Sequence, residues 1–179
     1  VMTVCPSIGI ESVALRYQNV FGPGQSLSNP YTGILSIFSN LIMHGRPINV
    51  FEDGQESRDF VFIGDAVSAT VAALENASAA GEIFNVGTGV PTDVMTVAKL
   101  LMKTLNGTSE IVISGNFRAG DIRHNYASLN KVEKLLGFTP SVSFEQGLDK
   151  FCAWVRTMAL VESKYDASLK EMKDRGLLK

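Results

Sequence analysis

Between Glu11 and Met158 the spacing of apolar residues switches repeatedly between a period of two and a period of three to four, and a chain patterned this way is restricted to an α/β fold. From Glu11 to Val20 the side chains alternate, Val13, Leu15 and Tyr17 against Ala14, Arg16 and Gln18, as in a strand, and the run stops at the turn Gly22-Pro23-Gly24. Pro30 is placed to start a helix in which Ile34, Ile37, Phe38, Leu41 and Ile42 keep helical spacing up to Gly45. Residues 48–51 and 59–63 predict two strands joined through Glu52-Asp53-Gly54, a hairpin-like excursion. Asp65 is expected to cap a helix that turns Val67, Val71 and Leu74 inward, and residues 83–86 form a buried strand ahead of Gly87-Thr88-Gly89. Thr92 is expected to cap the next helix, with Val94, Val97, Leu101 and Leu105 inward and a stop at Asn106-Gly107, followed by a strand over residues 110–113. Ser128 or Asn130 caps a short helix ending at Gly137. Phe144, Leu148, Phe151, Val155 and Met158 define a last long one, and from Glu162 the chain turns polar and is expected to fray.

The totals bound the function. The chain has 179 residues, 45% apolar and 19% charged, enough for one domain or slightly more with a sizeable core. Sixteen basic against eighteen acidic residues leave a net charge of -2, which implies no electrostatic attraction to nucleic acid or anionic membrane. The apolar runs break well short of the roughly 18 residues a span requires, and no leader is visible, so a cytoplasmic protein is expected. Cys5 and Cys152 lie far apart, without metal-ligand spacing beside His44 and His124, and are expected to be small buried hydrophobes. Neither histidine has a serine or carboxylate at catalytic spacing. Val1 to Val4 reads as the tail of a helix entering Pro6, so the chain is expected to begin inside a longer protein; a natural start close by is the alternative.

Two arginines carry the clearest chemistry. Adjacent phosphates are best held by planar, permanently charged guanidinium forks, and Arg58 and Arg118 each stand beside a turn and precede an acid, Asp59 or Asp121, that could hold the side chain. The plainer reading of each is a surface ion pair worth about 0–1 kcal/mol. Arg123 is a second choice. Asn19 stands at the carboxyl end of a strand, where α/β proteins bind ligands, with an amide that both donates and accepts; closing a turn is its plainer role.

Four segments, in this order, resemble the extended short-chain dehydrogenase/reductase family that works on nucleotide sugars. They are Leu15-Arg16-Tyr17-Gln18-Asn19-Val20-Phe21-Gly22-Pro23-Gly24, then Glu56-Ser57-Arg58-Asp59-Phe60-Val61-Phe62-Ile63-Gly64-Asp65, then Phe84-Asn85-Val86-Gly87-Thr88-Gly89, and Arg118-Ala119-Gly120-Asp121 followed by residues 128–140. The resemblance implies the last strands and helices of a Rossmann-type parallel sheet with the small α/β substrate-binding domain. Residues 1–20 and 61–90 would belong to the NAD-binding sheet, 21–60 and 91–161 to the substrate domain, and 162–179 to a polar tail. It also implies NAD as cofactor, a dTDP- or UDP-sugar as substrate, and a homodimeric parent enzyme. The run from Gly24 to Gly33 is similar to epimerases of deoxythymidine-diphosphate sugars.

By the same resemblance Tyr17 lines the nicotinamide pocket and Asn19 the cofactor or substrate. Arg58 and Arg118 with Asp121 take the diphosphate, and Gly33, Ile34, Asn49 and Phe51 shape the base pocket. Ile34 reads equally as core, and Phe51 as a stacking platform. The family's glycine-rich dinucleotide loop has no counterpart, and none of Tyr17, Tyr31, Tyr126 and Tyr165 has a lysine four residues on, so no catalytic residue is expected in this chain. The expected function is the substrate-binding portion of an NAD-dependent nucleotide-sugar 4-epimerase, itself inactive in isolation. The alternatives are a 4,6-dehydratase or decarboxylase of the same fold, or a non-catalytic nucleotide-sugar-binding module.

Overall fold

The computed structural model describes residues 1–28, 33–159 and 165–179. In chain order the elements are α1 (Val4–Ser7), β1 (Ala14–Tyr17), β2 (Asn19–Phe21), α2 (Ile34–Met43), β3 (Ile48–Val50), β4 (Ser57–Phe62), α3 (Ile63–Glu75), a 3-10 turn (Ala77–Ala79), β5 (Ile83–Val86), β6 (Pro91–Asp93), α4 (Val94–Leu105), β7 (Ile111–Ile113), β8 (His124–Asn125), α5 (Asn130–Leu136), α6 (Phe144–Val155) and α7 (Tyr165–Asp174). Pro30, expected to start α2, lies outside the described residues.

Parallel pairing dominates, as the α/β patterning requires: β1 with β5, β2 with β4, and β3 with β7. β4 is the hub, since it also takes β6 antiparallel and β8 parallel. The expected hairpin between residues 48–51 and 59–63 does not form. Instead the connection bends through left-handed Glu52 (φ 44°) and Gly54 (φ 77°), and a later segment takes the β3 edge: β7 pairs with β3, and the Glu52 N–H donates to the Asn116 carbonyl beyond it.

Two apolar clusters result. The larger packs α2, α4 and α6 around Leu35, Phe38, Leu41, Ile48, Val50, Leu101, Leu148 and Phe151. Phe21 joins it edge-on to Phe62 and Phe144, at centroid distances of 5.9 and 5.5 Å. The Phe21 ring comes so near α6 that a Cβ on Gly147 would lie 2.7 Å from it. The smaller cluster joins Phe84 and Val86 of β5 to α3 and α5 through Ala69, Ala73 and Val132. Here the expected face of α3 is reversed: Ala66, Ala69 and Ala73 are buried, whereas Val67, Val71 and Leu74 are 53%, 43% and 83% exposed. Alanines let the helix axis approach the strand closely, and the bulkier side chains are turned out.

Several caps also differ. Asp93, rather than Thr92, caps α4 by accepting from the Thr96 N–H at 2.7 Å, because Thr92 is paired with Arg58. α5 starts at Leu129 without a side-chain cap, and α6 opens on a capping box between Ser143 and Gln146. Asp65 does not cap α3. It is 3% exposed and accepts from the Ser141 N–H and hydroxyl and the Val142 N–H, tying α3 to the segment before α6. The expected frayed tail is also corrected: residues 165–174 form α7, anchored by buried Tyr165 and Ser168 and by the Arg46–Asp166 ion pair. Beyond it, Lys179 exchanges backbone hydrogen bonds with Phe117. Cys152 is fully buried, its thiol pushed up to about 11 by desolvation, while Cys5 is only half-buried. Among the described residues no helix is long and apolar enough to cross a membrane.

The tightest junction is Asp59, with no exposed surface. Its Oδ1 accepts from the Thr88 N–H (2.8 Å) and hydroxyl (2.6 Å), and its Oδ2 from the Gly89 N–H (2.9 Å) and the Ala127 N–H (3.1 Å). Gly87 must lack a side chain here, because a Cβ would overlap Asp59 Oδ2. Replacing Asp59 with Ala strands these donors in the interior, so the expected cost is about 3 kcal/mol or more in urea-induced unfolding. A loss below about 1 kcal/mol would mean that water replaces the carboxylate.

Candidate functional site

The two-residue period of a strand decides which side chains of β4 meet a ligand. Glu56, immediately before the strand, Arg58 and Phe60 share one face and line a cavity of about 500 Å³. Ser57 and Asp59 face the other way: Ser57 Oγ lies 2.9 Å from His124 Nδ1, a pairing the sequence spacing did not reveal, and Asp59 enters the junction described above. Asp59 therefore does not hold Arg58, contrary to expectation, because consecutive strand residues point to opposite faces.

Asp121 takes that role. Its Oδ1 accepts from Arg58 Nη2 at 2.8 Å, while Nη1 donates to the carbonyls of Ser57 and Arg123 at 2.9 and 3.1 Å. With three of the five guanidinium N–H groups committed among the described residues, two are left to face a ligand in a fixed orientation. Arg118 lies over the Phe51 ring, 5.4 Å from guanidinium carbon to ring centroid. The aromatic face orients its charge and leaves its N–H edges available.

Eight of the nine residues singled out from the sequence line this one cavity: Asn19, Gly33, Ile34, Asn49, Phe51, Arg58, Arg118 and Asp121. Tyr17 does not. Its hydroxyl lies 2.7 Å from Thr70 Oγ1 of α3, on another side of the sheet edge. The cavity also takes Tyr165, Ser168 and Met172 from α7, which sequence reading missed by treating that segment as a tail. The signal was present: Tyr165, Ser168, Leu169 and Met172 repeat at three-and-four spacing. Desolvation pushes the Tyr165 hydroxyl above its ordinary range, so it stays a neutral donor.

Below Phe51 the carboxylate oxygens of Glu52, Asp53 and Glu56 lie within 4.8 Å of one another. Arg123 binds two of them, Glu52 at 2.6 Å and Asp53 at 2.7 Å. The Arg123 hydrogen bond holds the Asp53 carboxyl below the usual range, whereas burial pushes the Glu56 carboxyl up. The loop Gly87-Thr88-Gly89 cannot cradle a phosphate, because the Thr88 and Gly89 N–H groups already serve the Asp59 carboxylate.

Comparison with known proteins adds four findings. Residues 2–87 match the model of the NAD dependent epimerase/dehydratase family. The chain is 40% identical over 141 residues to a dTDP-L-rhamnose 4-epimerase of Burkholderia thailandensis, covering 79% of this chain and 39% of that protein. It superposes on a UDP-glucose 4-epimerase of Thermotoga maritima, solved with UDP-glucose, with a TM-score of 0.77 and 34% identity over 85% of this chain and 48% of that one. A UDP-glucuronic acid 4-epimerase of Bacillus cereus, in complex with UDP-glucuronic acid and NAD, gives a TM-score of 0.76 at 27% identity over 84% of this chain and 46% of that one. The chain thus spans between about two-fifths and one half of the length of these relatives.

Arg123→Gln is expected to let the Asp53 carboxyl titrate higher, toward the ordinary value of about 3.9, in a carbon-detected NMR titration. Because the folded value is depressed, the stabilisation from this contact is present above the ordinary carboxylate range and is lost as pH falls through the folded value. An unchanged Asp53 titration would show that Arg123 does not hold it.

Proposed function

Residues 2–87 match the NAD dependent epimerase/dehydratase family, and from that premise we propose that the chain is the substrate-holding portion of a nucleotide-sugar 4-epimerase. The observation that carries this reading is that one cavity takes two oriented guanidinium groups, Arg58 and Arg118, together with Asn19, Asn49 and Phe51. In this reading the two free N–H groups of Arg58 and the fork of Arg118 take the diphosphate of a dTDP- or UDP-sugar. Asp121 aims Arg58 rather than touching the reacting sugar. Asn19, exposed at the start of β2, donates to the phosphate, or donates to and accepts from a sugar hydroxyl, and Gly33, Ile34, Asn49 and Phe51 enclose the base. Binding energy gained at the nucleotide then positions a sugar carbon that makes none of these contacts.

Bound NAD would supply the hydride acceptor and donor for such an epimerisation. The turn Gly87-Thr88-Gly89 after β5 does not fit its pyrophosphate, since the Thr88 and Gly89 N–H groups are taken by Asp59. Residues 1–20 and 61–90 are accordingly assigned to the edge of the cofactor sheet, 21–60 and 91–161 to the substrate domain, and the chemistry to the whole protein, a homodimer in this reading. α7, with Tyr165, Ser168 and Met172 on the cavity, extends the substrate domain beyond that boundary.

Titration calorimetry with UDP and dTDP tests the reading. Arg58→Ala is expected to weaken both by roughly 10- to 100-fold, the loss of a charge-assisted contact worth about 1.5–3 kcal/mol. Equal affinity before and after the substitution would remove Arg58 from the site. The chain itself is expected not to bind NAD at submicromolar concentration in the same instrument, and tight NAD binding would contradict the assignment of the cradle elsewhere.

A further inference from the structure

Among the described residues three buried acids lie in or beside β4, and of these Glu56 alone has no hydrogen-bond partner for its carboxyl oxygens. Asp59 accepts four hydrogen bonds and Asp65 three. Glu56 is 7% exposed, and neither of its carboxyl oxygens has a hydrogen-bond partner among the described residues. Arg123, the nearest cation of the cluster, is committed to Glu52 and Asp53. An acid placed in the interior without donors opposes folding, so packing alone does not account for Glu56. Its surroundings do: the side chain lines the cavity, on the same strand face as Arg58 and two residues before it. Two strand residues advance about 6.6 Å, on the order of the step from a phosphate to the sugar and base it carries.

We propose that Glu56 is a ligand-reading residue of this cavity, its carboxyl oxygens accepting an N–H or O–H donor from the nucleoside of a bound nucleoside diphosphate. The inference rests on the nucleotide-binding reading above. Glu56 supplies the acceptors that the arginine pair cannot, because guanidinium groups only donate. Glu52 and Asp53, bridged by Arg123, lie within 4.8 Å of the Glu56 carboxyl. Burial favours its uncharged form, which lowers the cost of leaving the carboxyl without a protein partner. The molecule therefore gives up stability at this position for recognition, as binding sites commonly do.

The test uses the intact chain with Glu56→Met, which removes the acceptors at similar length, and Glu56→Gln, which keeps one. Two readouts are combined: calorimetric affinity for UDP and dTDP, and the melting temperature without nucleotide. The expected result is a loss of affinity of roughly tenfold or more in Glu56→Met and a smaller loss in Glu56→Gln, with melting temperatures unchanged or raised in both. A loss confined to UDP identifies the ribose 2′-hydroxyl as the donor, because dTDP lacks it, and an equal loss for both identifies a donor the two share, the base N–H or the 3′-hydroxyl. If the unaltered chain binds and Glu56→Met binds equally well, this inference is overturned while the nucleotide-binding reading stands. If the unaltered chain binds neither nucleotide, both are overturned. A lowered melting temperature in both variants assigns Glu56 to folding and also overturns the inference.

Discussion

The carboxylate of Asp59 is the contact on which the arrangement of the rest depends. It draws the loop after β5 and the backbone at Ala127 onto the far side of β4, using all the acceptor capacity of a group sealed from water. A buried charge is tolerated there because four donors converge on it, and Gly87 must be bare for them to do so. With that face of β4 locked, its register against β2, β6 and β8 is set, and a slip of one residue would exchange the two faces. Thus the orientation of Arg58 toward the cavity follows from what Asp59 does behind it.

On the cavity side, charge is arranged by pairing rather than by excess. Arg58 leans on Asp121, Arg118 on the Phe51 ring, and Arg123 on Glu52 and Asp53. Two of these cations keep part of their hydrogen-bonding capacity turned inward, while Arg123 spends its own on neighbours. The result is a cavity lined by two donor groups, Arg58 and Arg118, and by one acid, Glu56, whose carboxyl oxygens have no hydrogen-bond partner among the described residues. Such a distribution suits a ligand that is anionic at its centre and carries donors at one end.

The two apolar clusters divide the supporting work. The larger holds α2, α4 and α6 behind the cavity wall, and the smaller holds α3 and α5 against β5. α7 closes the cavity rim through Tyr165, helped by the ion pair from Arg46 to Asp166 and by the backbone bonds of the last residues to Phe117 and Ala119. Because Ala119 sits beside Arg118, this rim contact also constrains the arginine loop.

Much of the architecture was legible in the sequence, since period and turn residues are local properties: β5, α2, α4 and α6 fall where alternation, helical spacing and glycine place them, whereas the single strand expected over residues 11–20 is split into β1 and β2, which pair with β5 and β4. The residues Arg58, Arg118, Asn19 and Phe51 were legible as a group because the order of four segments resembles a known family, although their convergence on one cavity is a fact of the structure. Sequence spacing could not reveal contacts made across long separations. That Asp121 rather than Asp59 holds Arg58, that Asp65 ties down Ser141 instead of capping its own helix, and that β3 pairs with β7 rather than β4 each depend on segments more than 60 residues apart. The inverted face of α3 has the same origin: the helical period was visible, but only packing against β5 could choose alanine over valine as the buried side. Local patterning determined which elements form and which residues share a face; tertiary structure decided which face turns inward, because that choice is made by the surfaces that meet it.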